Sequence, residues 1–215
     1  MAKRLYSLML NDEVVRAVDY EAHRLGTNRS ALIDRVLAEH FEVPTVQKMI
    51  NDIFGEIDEL LSSAEGFNTF FAPDSQTFSV KSALSYKYRP TLKYELTLDN
   101  TSSQKLGDIS VIYRTQSLML LSDLREFFKL WSSIEQSVLE KNKAEKIDYA
   151  LYDNRFVRSV VLPKDKNYSA AQIAEALSEY VEVLDRSLKA YLNGAQDREI
   201  VEAYADYIKK TNLTI

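Results

Sequence analysis

The chain has 215 residues, a formal net charge of −5 and no cysteine, which excludes disulfides, thiolate metal sites and thiol catalysis. The negative balance also excludes a polycation, so any contact with nucleic acid must be local. With 46% hydrophobic and 27% charged residues but only 5 Gly and 4 Pro, the composition is that of a globular chain in which helices dominate.

The first element, "KRLYSLMLND" over residues 3–12, reads as a short strand with no nearby partner, since the next strong strand signal lies near residue 78. An isolated strand leaves backbone N–H and C=O groups unpaired, which is unfavourable. "NDEVVRAVDYEAHRLG" predicts a helix capped by Asn11, with Asp12 and Glu13 in its first turn and Gly26 as a left-handed stop. Its apolar positions Val14, Val15, Val18, Ala22 and Leu25 recur at three- and four-residue steps. "TNRSALIDRVLAEHF" predicts a second helix capped by Asn28 or Ser30, apolar along Leu32, Ile33, Val36, Leu37 and Phe41, and ended by Pro44. A unit of some 40 residues is usually too small to hold a core by itself. Two copies that pair their first strands antiparallel about a twofold axis, and share one core, resolve both difficulties.

The residues "RLYSLMLNDEVVRAVDYEAHRLGTNRSALIDRVLAEHF" resemble the ribbon-helix-helix fold of Arc-, MetJ- and CopG-like proteins. The likeness lies in the strand ending at an Asn/Asp cap, the first helix closing on Gly, and the "GTNRSALI" entry to the second helix. It covers residues 3–42, about a fifth of the chain. The resemblance implies an obligate homodimer whose two-stranded ribbon enters the major groove of double-stranded DNA. It also implies that the start of the second helix meets a phosphate, which makes Asn28, Arg29 and Ser30 the clamp. With Tyr6, Leu8 and Leu10 as the dimer core, the DNA-facing side chains are Lys3, Leu5, Ser7 and Met9. Of these only Lys3 and Ser7 donate hydrogen bonds; Leu5 and Met9 suit thymine methyl groups and supply no bidentate readout. A slip of one residue would present Arg4, Tyr6 and Leu8 instead. The chosen register sets Leu8 and Leu10 inward beside Val15 and Val18. Residues 1–42 hold six Lys/Arg and seven Asp/Glu, a weak electrostatic footprint, so a dimerisation module with little DNA affinity stands beside the DNA-binding reading.

Beyond Pro44 the pattern changes. Val46, Ile50, Ile53, Ile57 and Leu60 follow the spacing of a coiled-coil seam for two heptads, with Met49, Phe54 and Leu61 as a second stripe. A dimer seam and an ordinary core helix with two buried sides both fit. Residues 62–77 read as a linker. "FSVKSALSYKYRPTLKYELTL" alternates strictly and predicts a hairpin bending near Arg89-Pro90-Thr91. Lysines among tyrosines raise a single-stranded nucleic-acid reading. The tyrosines, however, share the apolar parity, which turns them inward and leaves Lys81, Lys87, Arg89 and Lys93 on a solvated face. "LDNTSSQKLGD" is a further turn and "ISVIYRT" a third strand. "SLMLLSDLREFFKLWSSIEQSVLEKN" predicts a long helix at the centre of the core, along Leu120, Leu124, Phe127, Trp131, Ile134 and Val138. "IDYALYDNRFVRSVVLP" predicts a hairpin turning at Asp153-Asn154, followed by a long helix through Ile173, Leu177, Tyr180, Leu184 and Leu188 and a last helix over about 196–210.

The expected fold is α+β and mainly helical. A ribbon-helix-helix domain spans 1–43, a connecting amphipathic helix 44–66, and an α+β domain with a few antiparallel strands and several long helices 67–215. No P-loop, GxGxxG or HExxH occurs, no Ser–His–Asp pattern can be assigned, and only two His are present. No cofactor, metal site or catalytic residue is therefore expected. His23 reads as an exposed helical residue, His40 as a structural residue that suits the dipole at the end of the second helix, and Glu56 and Glu59 as a solvated face. No apolar run approaches the roughly 18 residues of a membrane span and no signal core opens the chain, so a cytoplasmic protein without membrane contact is expected. The functional expectation is a homodimeric, sequence-specific DNA-binding protein that regulates transcription. Its C-terminal domain would sense a small ligand, hold a protein partner or join dimers. The rival is an antitoxin-like or structural protein-interaction module that dimerises through the same ribbon.

Overall fold

The computed structural model describes residues 5–41, 43, 45–72, 75–86, 89–99, 105–141, 145–164 and 167–215. The chain divides into two compact units, Met1–Thr45 and Val46–Ile215. Among the described residues it is α+β, with six helices and one six-stranded antiparallel sheet, and about half of the chain is helical. The sheet is thus larger than the few strands expected.

The smaller unit contains α1 (Asp12–Arg24) and α2 (Arg29–His40). Asn11 occupies the α1 N-cap with extended backbone, but its side chain makes no capping hydrogen bond. Of the two candidate caps for α2, Asn28 fills the role; its side chain accepts the Ala31 N–H at 2.9 Å. Pro44, expected to stop this helix, lies outside the described residues, and α2 ends at His40. Residues 5–10 form no strand in the single chain. The physical reason is direct: a β-strand exists only through a neighbour's hydrogen bonds, and none of the six strands of the sheet is this segment.

The larger unit contains α3 (Val46–Ser63), β1 (Phe67–Phe70), β2 (Thr77–Ala83), β3 (Thr91–Leu98), β4 (Lys105–Tyr113), α4 (Leu118–Lys141), β5 (Tyr149–Leu151), β6 (Arg155–Val161), α5 (Ala170–Leu192) and α6 (Asp197–Lys210). Strand order is β1-β2-β3-β4-β6-β5, every neighbour antiparallel. Alternation along the strands decides which face is buried. Phe78 and Val80, then Leu92, Tyr94 and Leu96, then Ile109, Val111 and Tyr113 form one apolar sheet with almost no exposure. The helices bury their stripes in the same core, led by Ile53, Phe54 and Ile57 of α3, Phe127, Phe128 and Trp131 of α4, and Tyr180 and Leu184 of α5. The opposite sheet face, with Ser79, Lys93, Glu95, Ser110 and Ile112, is only part-covered.

Three expectations need correction. The seam on α3 is not one: Ile50, Ile53 and Ile57 are fully enclosed within their own chain, while Leu60, the last seam position, is 41% exposed. A helix with two apolar stripes had two neighbours to bury them against, and the core-helix alternative holds. The linker over 62–77 contains β1, an edge strand whose Phe67 pairs with Ser82 and whose Phe70 pairs with Ser79; four residues are too short for a periodic signal. Finally, the third strand begins at Lys105 rather than at the expected turn's end. Gly107 explains this, because a Cβ there would lie 1.9 Å from the Thr97 carbonyl oxygen. The ladder shifts register between Lys105 and Gly107, so a close backbone approach that only Gly permits looks like a turn in sequence.

Candidate nucleic-acid interface

The candidate site is the smaller unit, and its local geometry follows from one tight helix–helix connection. Gly26 takes a left-handed conformation at φ 64°. The Thr27 N–H bonds the Ala22 carbonyl at 2.9 Å and the Gly26 N–H bonds the His23 carbonyl at 3.2 Å. This is the doubled C-terminal cap in which glycine reverses the chain and satisfies two orphan carbonyls. Asn28 then starts α2 immediately, with its side chain on the Ala31 amide. The amides of Arg29 and Ser30 are those the helix itself does not satisfy, and they point out of its positive end.

Arg29, the proposed clamp cation, is engaged. Its Nε and Nη2 donate to the two carboxylate oxygens of Asp19, both at 2.6 Å. The Arg29 hydrogen bonds hold the Asp19 carboxyl below its usual range, and the carboxylate raises the guanidinium in turn. Both side chains are about half exposed, so the pair is solvated and can open. As it stands it ties α2 to α1 and neutralises the charge beside the two free amides.

The described residues of the expected ribbon, 5–10, are all exposed and form no strand. Lys3 lies outside the described residues. Leu5 and Met9 are wholly exposed at 100% and 102%, while Leu8 and Leu10 fall to 53% and 41%. Tyr6 remains exposed at 83% and Ser7 is exposed as well. Leu8 and Leu10 are less exposed than Leu5 and Met9, but none of Tyr6, Leu8 and Leu10 is buried in one chain. The helices share this condition. Among the unit's described hydrophobic residues only Ala22 and Leu32 are buried, and Val14, Val36, Leu37 and Phe41 remain open. His23 and His40 are on the helix surface; His40 meets Phe41 edge-on at 4.9 Å.

Two polar constellations in the larger unit went unseen in the sequence. Glu135 of α4 and Arg158 of β6 are fully buried, with Arg158 Nε 3.3 Å from both carboxylate oxygens. The hydroxyls of Tyr180 and Tyr204 each donate to Glu135 at 3.2 Å, and the Trp131 indole donates to the Tyr180 hydroxyl at 3.0 Å. The Arg158 guanidinium stacks 4.3 Å over the Tyr180 ring and also bonds the Ser159 and Ile215 carbonyls. Burial pushes the tyrosine hydroxyls up, reinforced by the Glu135 charge. In the second constellation, Asp185 accepts from the Tyr94 hydroxyl at 2.9 Å and pairs with Lys189 at 2.6 Å, which also reaches Ser82. The first is enclosed in packed core; the second is buried at Asp185 and Tyr94 and reaches solvent at Lys189, whose side chain is 29% exposed. A signal existed: Arg158 stands between Phe156 and Val160 on the inward parity, and Glu135 lies four residues from both Trp131 and Leu139 on the α4 stripe.

Among the described residues no cluster of three metal-ligating side chains occurs, and no helix is long and apolar enough to cross a membrane. No protein-family model, no curated protein and no solved structure matches the chain.

Proposed function

We propose that the protein is a cytoplasmic, homodimeric, sequence-specific DNA-binding regulator. Residues 3–10 of two copies pair as a β-ribbon that enters the major groove, with Lys3, Leu5, Ser7 and Met9 toward the bases and the start of α2 on a phosphate. The observation that carries this reading is the unfinished state of the smaller unit: an unpaired segment of alternating exposure on two helices that together bury only Ala22 and Leu32. A second copy supplies both the missing strand and the missing half of the core. The unpaired amides at the α2 N-terminus fit an anion such as phosphate.

A second reading, an interaction module that dimerises the same way and holds a protein partner, draws on the Asp19–Arg29 pair, which removes the clamp's free cation. Against its antitoxin-like form stands the larger unit's dense core, unlike a tail that orders only on binding. Selection of bound fragments from genomic DNA at a stated salt concentration tests the proposal. Enrichment of a repeated half-site supports it; a protein that is dimeric in sedimentation yet enriches nothing transfers the function to the interaction module.

A further inference from the structure

The open face of the six-stranded sheet carries an unusual arrangement of charge. Lys81 of β2 and Lys93 of β3 are direct Cα partners on that face. In the same cross-strand row, Lys93 is partnered by Ile112 of β4, and Ile112 by Arg155 of β6. Like charges placed directly opposite one another destabilise a sheet. The protein nonetheless sets two lysines opposite each other and adds Arg114 just beyond the end of β4. These cations line a concavity of about 530 Å³ with Phe70, Ser79 and Glu95. Arg114 also lines an adjoining concavity of about 1440 Å³, together with Arg89 and Glu65.

The charges are poorly cancelled. Lys93 is ion-paired with Glu95. Lys81 rests its ammonium 4.8 Å over the Phe70 ring, and neither Lys81 nor Arg114 has a carboxylate partner among the described residues. A chain of net charge −5 therefore concentrates cations on the one sheet face its helices leave open. An anion with several regularly spaced charges converts the lysine–lysine repulsion into attraction. Lysine ammoniums serve as point charges to phosphate and the Arg guanidinium as a two-pronged donor. Tyr94 and Tyr113 point into the core, and Phe70, the exposed aromatic that lines the concavity, carries the Lys81 ammonium over its ring, so the site offers charge rather than a free stacking face. We propose that this face grips the phosphodiester backbone of DNA without reading its sequence, through Lys81, Lys93 and Arg114. The site is separate from the ribbon and does not depend on it.

The test uses the full chain, a labelled random-sequence duplex and an oligodeoxythymidylate of equal length, with affinity measured against salt. The Lys81→Gln/Lys93→Gln/Arg114→Gln variant should reduce the slope of log affinity against log salt on duplex by about 2 to 3, roughly 0.9 for each phosphate no longer neutralised. The charge-keeping Lys81→Arg/Lys93→Arg/Arg114→Lys variant should retain the slope, and the unfolding midpoint of the Gln variant should stay level or rise as the repulsion is relieved. Failure of the ribbon reading is separable. A Leu8→Asp change that leaves binding untouched, while the Gln variant still flattens the slope, refutes the ribbon and keeps the sheet site. An unchanged slope in the Gln variant on both probes overturns the sheet site whatever the ribbon does. So does displacement of the protein by polyglutamate that depends on the three cations when DNA binding does not, which would make the occupant an acidic protein.

Discussion

The two units solve the problem of stability in opposite ways. The larger unit encloses whole aromatic and aliphatic side chains on all its helices and on β2, β3, β4 and β6, from Phe54 through Trp131 to Tyr204. Each such side chain contributes about 1.5–3 kcal/mol on leaving water. It can therefore bear the burial of Glu135, Arg158 and Asp185. The smaller unit buries Ala22 and Leu32 and leaves Leu8, Val36 and Phe41 to solvent. The Asn28 cap and a well-formed glycine reversal define its helices locally, but a cap contributes only about 1 kcal/mol. The contrast teaches that well-specified secondary structure and a sufficient core are separate properties, and that a unit with the first alone points to a partner.

If that contrast is right, stress on buried polar groups should strike the larger unit hardest. Its enclosed tyrosines give the largest expected effect. Tyr94, Tyr180 and Tyr204 have hydroxyls raised above the ordinary value by burial and a neighbouring carboxylate. A raised pKa keeps the proton in the folded state while the unfolded chain releases it above about pH 10. The stabilisation is thus complete below pH 10 and is lost as pH rises beyond it, by about 1.4 kcal/mol per pH unit for each such tyrosine. Urea unfolding followed by Trp131 fluorescence from pH 8 to about 11.5 should show this steep decline; a flat profile would mean that the hydroxyls are solvated.

Next in size is the ion pair itself. Glu135→Ala strands the Arg158 guanidinium in the core and should lower stability by about 3–5 kcal/mol. The double change Glu135→Leu/Arg158→Met should restore much of that loss, since it leaves no uncompensated charge among the packed side chains. A double variant as unstable as the single one would show that the network does more than satisfy itself.

For the smaller unit the same logic moves the effect from folding to association. Leu8→Asp places a charge where two copies should meet. It should weaken the dimer on the order of a hundredfold or more, about 2.7 kcal/mol, in sedimentation at several concentrations. The unfolding transition of the larger unit should not move, because residues 5–10 take no part in its sheet. A dimer that persists, or a larger unit that melts early, would erase the distinction between the units.

What the sequence revealed divides along the same physical lines. Long periodic elements declared themselves: the alternation along β2 and β3 and the stripes of α4 and α5 reappear as buried faces, while Lys87 and Tyr88 of the same run lie outside the described residues. Elements defined by contact with remote residues did not. The β1 strand owes its existence to β2, and the Glu135–Arg158 pair joins residues 23 apart on different elements. The ribbon segment is the extreme case, since its expected partner is another molecule. Asn11 and Gly26 could be placed at the ends of α1 from chemistry alone and Asn28 as one of two candidates with Ser30, whereas the Asp19–Arg29 bond required the geometry of the helix reversal.

That bond yields the smallest effect and the finest discrimination. Both side chains are solvated, so neither Asp19→Asn nor Arg29→Ala should change folding appreciably. Their effects on DNA should differ in sign. Asp19→Asn removes a negative charge beside the α2 N-terminus and frees the guanidinium, so binding to every duplex should strengthen. Arg29→Ala separates two forms of the clamp. If the guanidinium leaves Asp19 to meet a phosphate, the salt slope should fall by about 0.9 alike for specific and random DNA. If only the Arg29 and Ser30 amides hold the phosphate, the slope stays, because the backbone donors survive the substitution. The double variant settles the competition: when Arg29 is already Ala, Asp19→Asn should strengthen binding less than it does in the native chain. Equal gains in both backgrounds would mean that Asp19 acts on the phosphate directly and that its bond to Arg29 serves only to join the two helices.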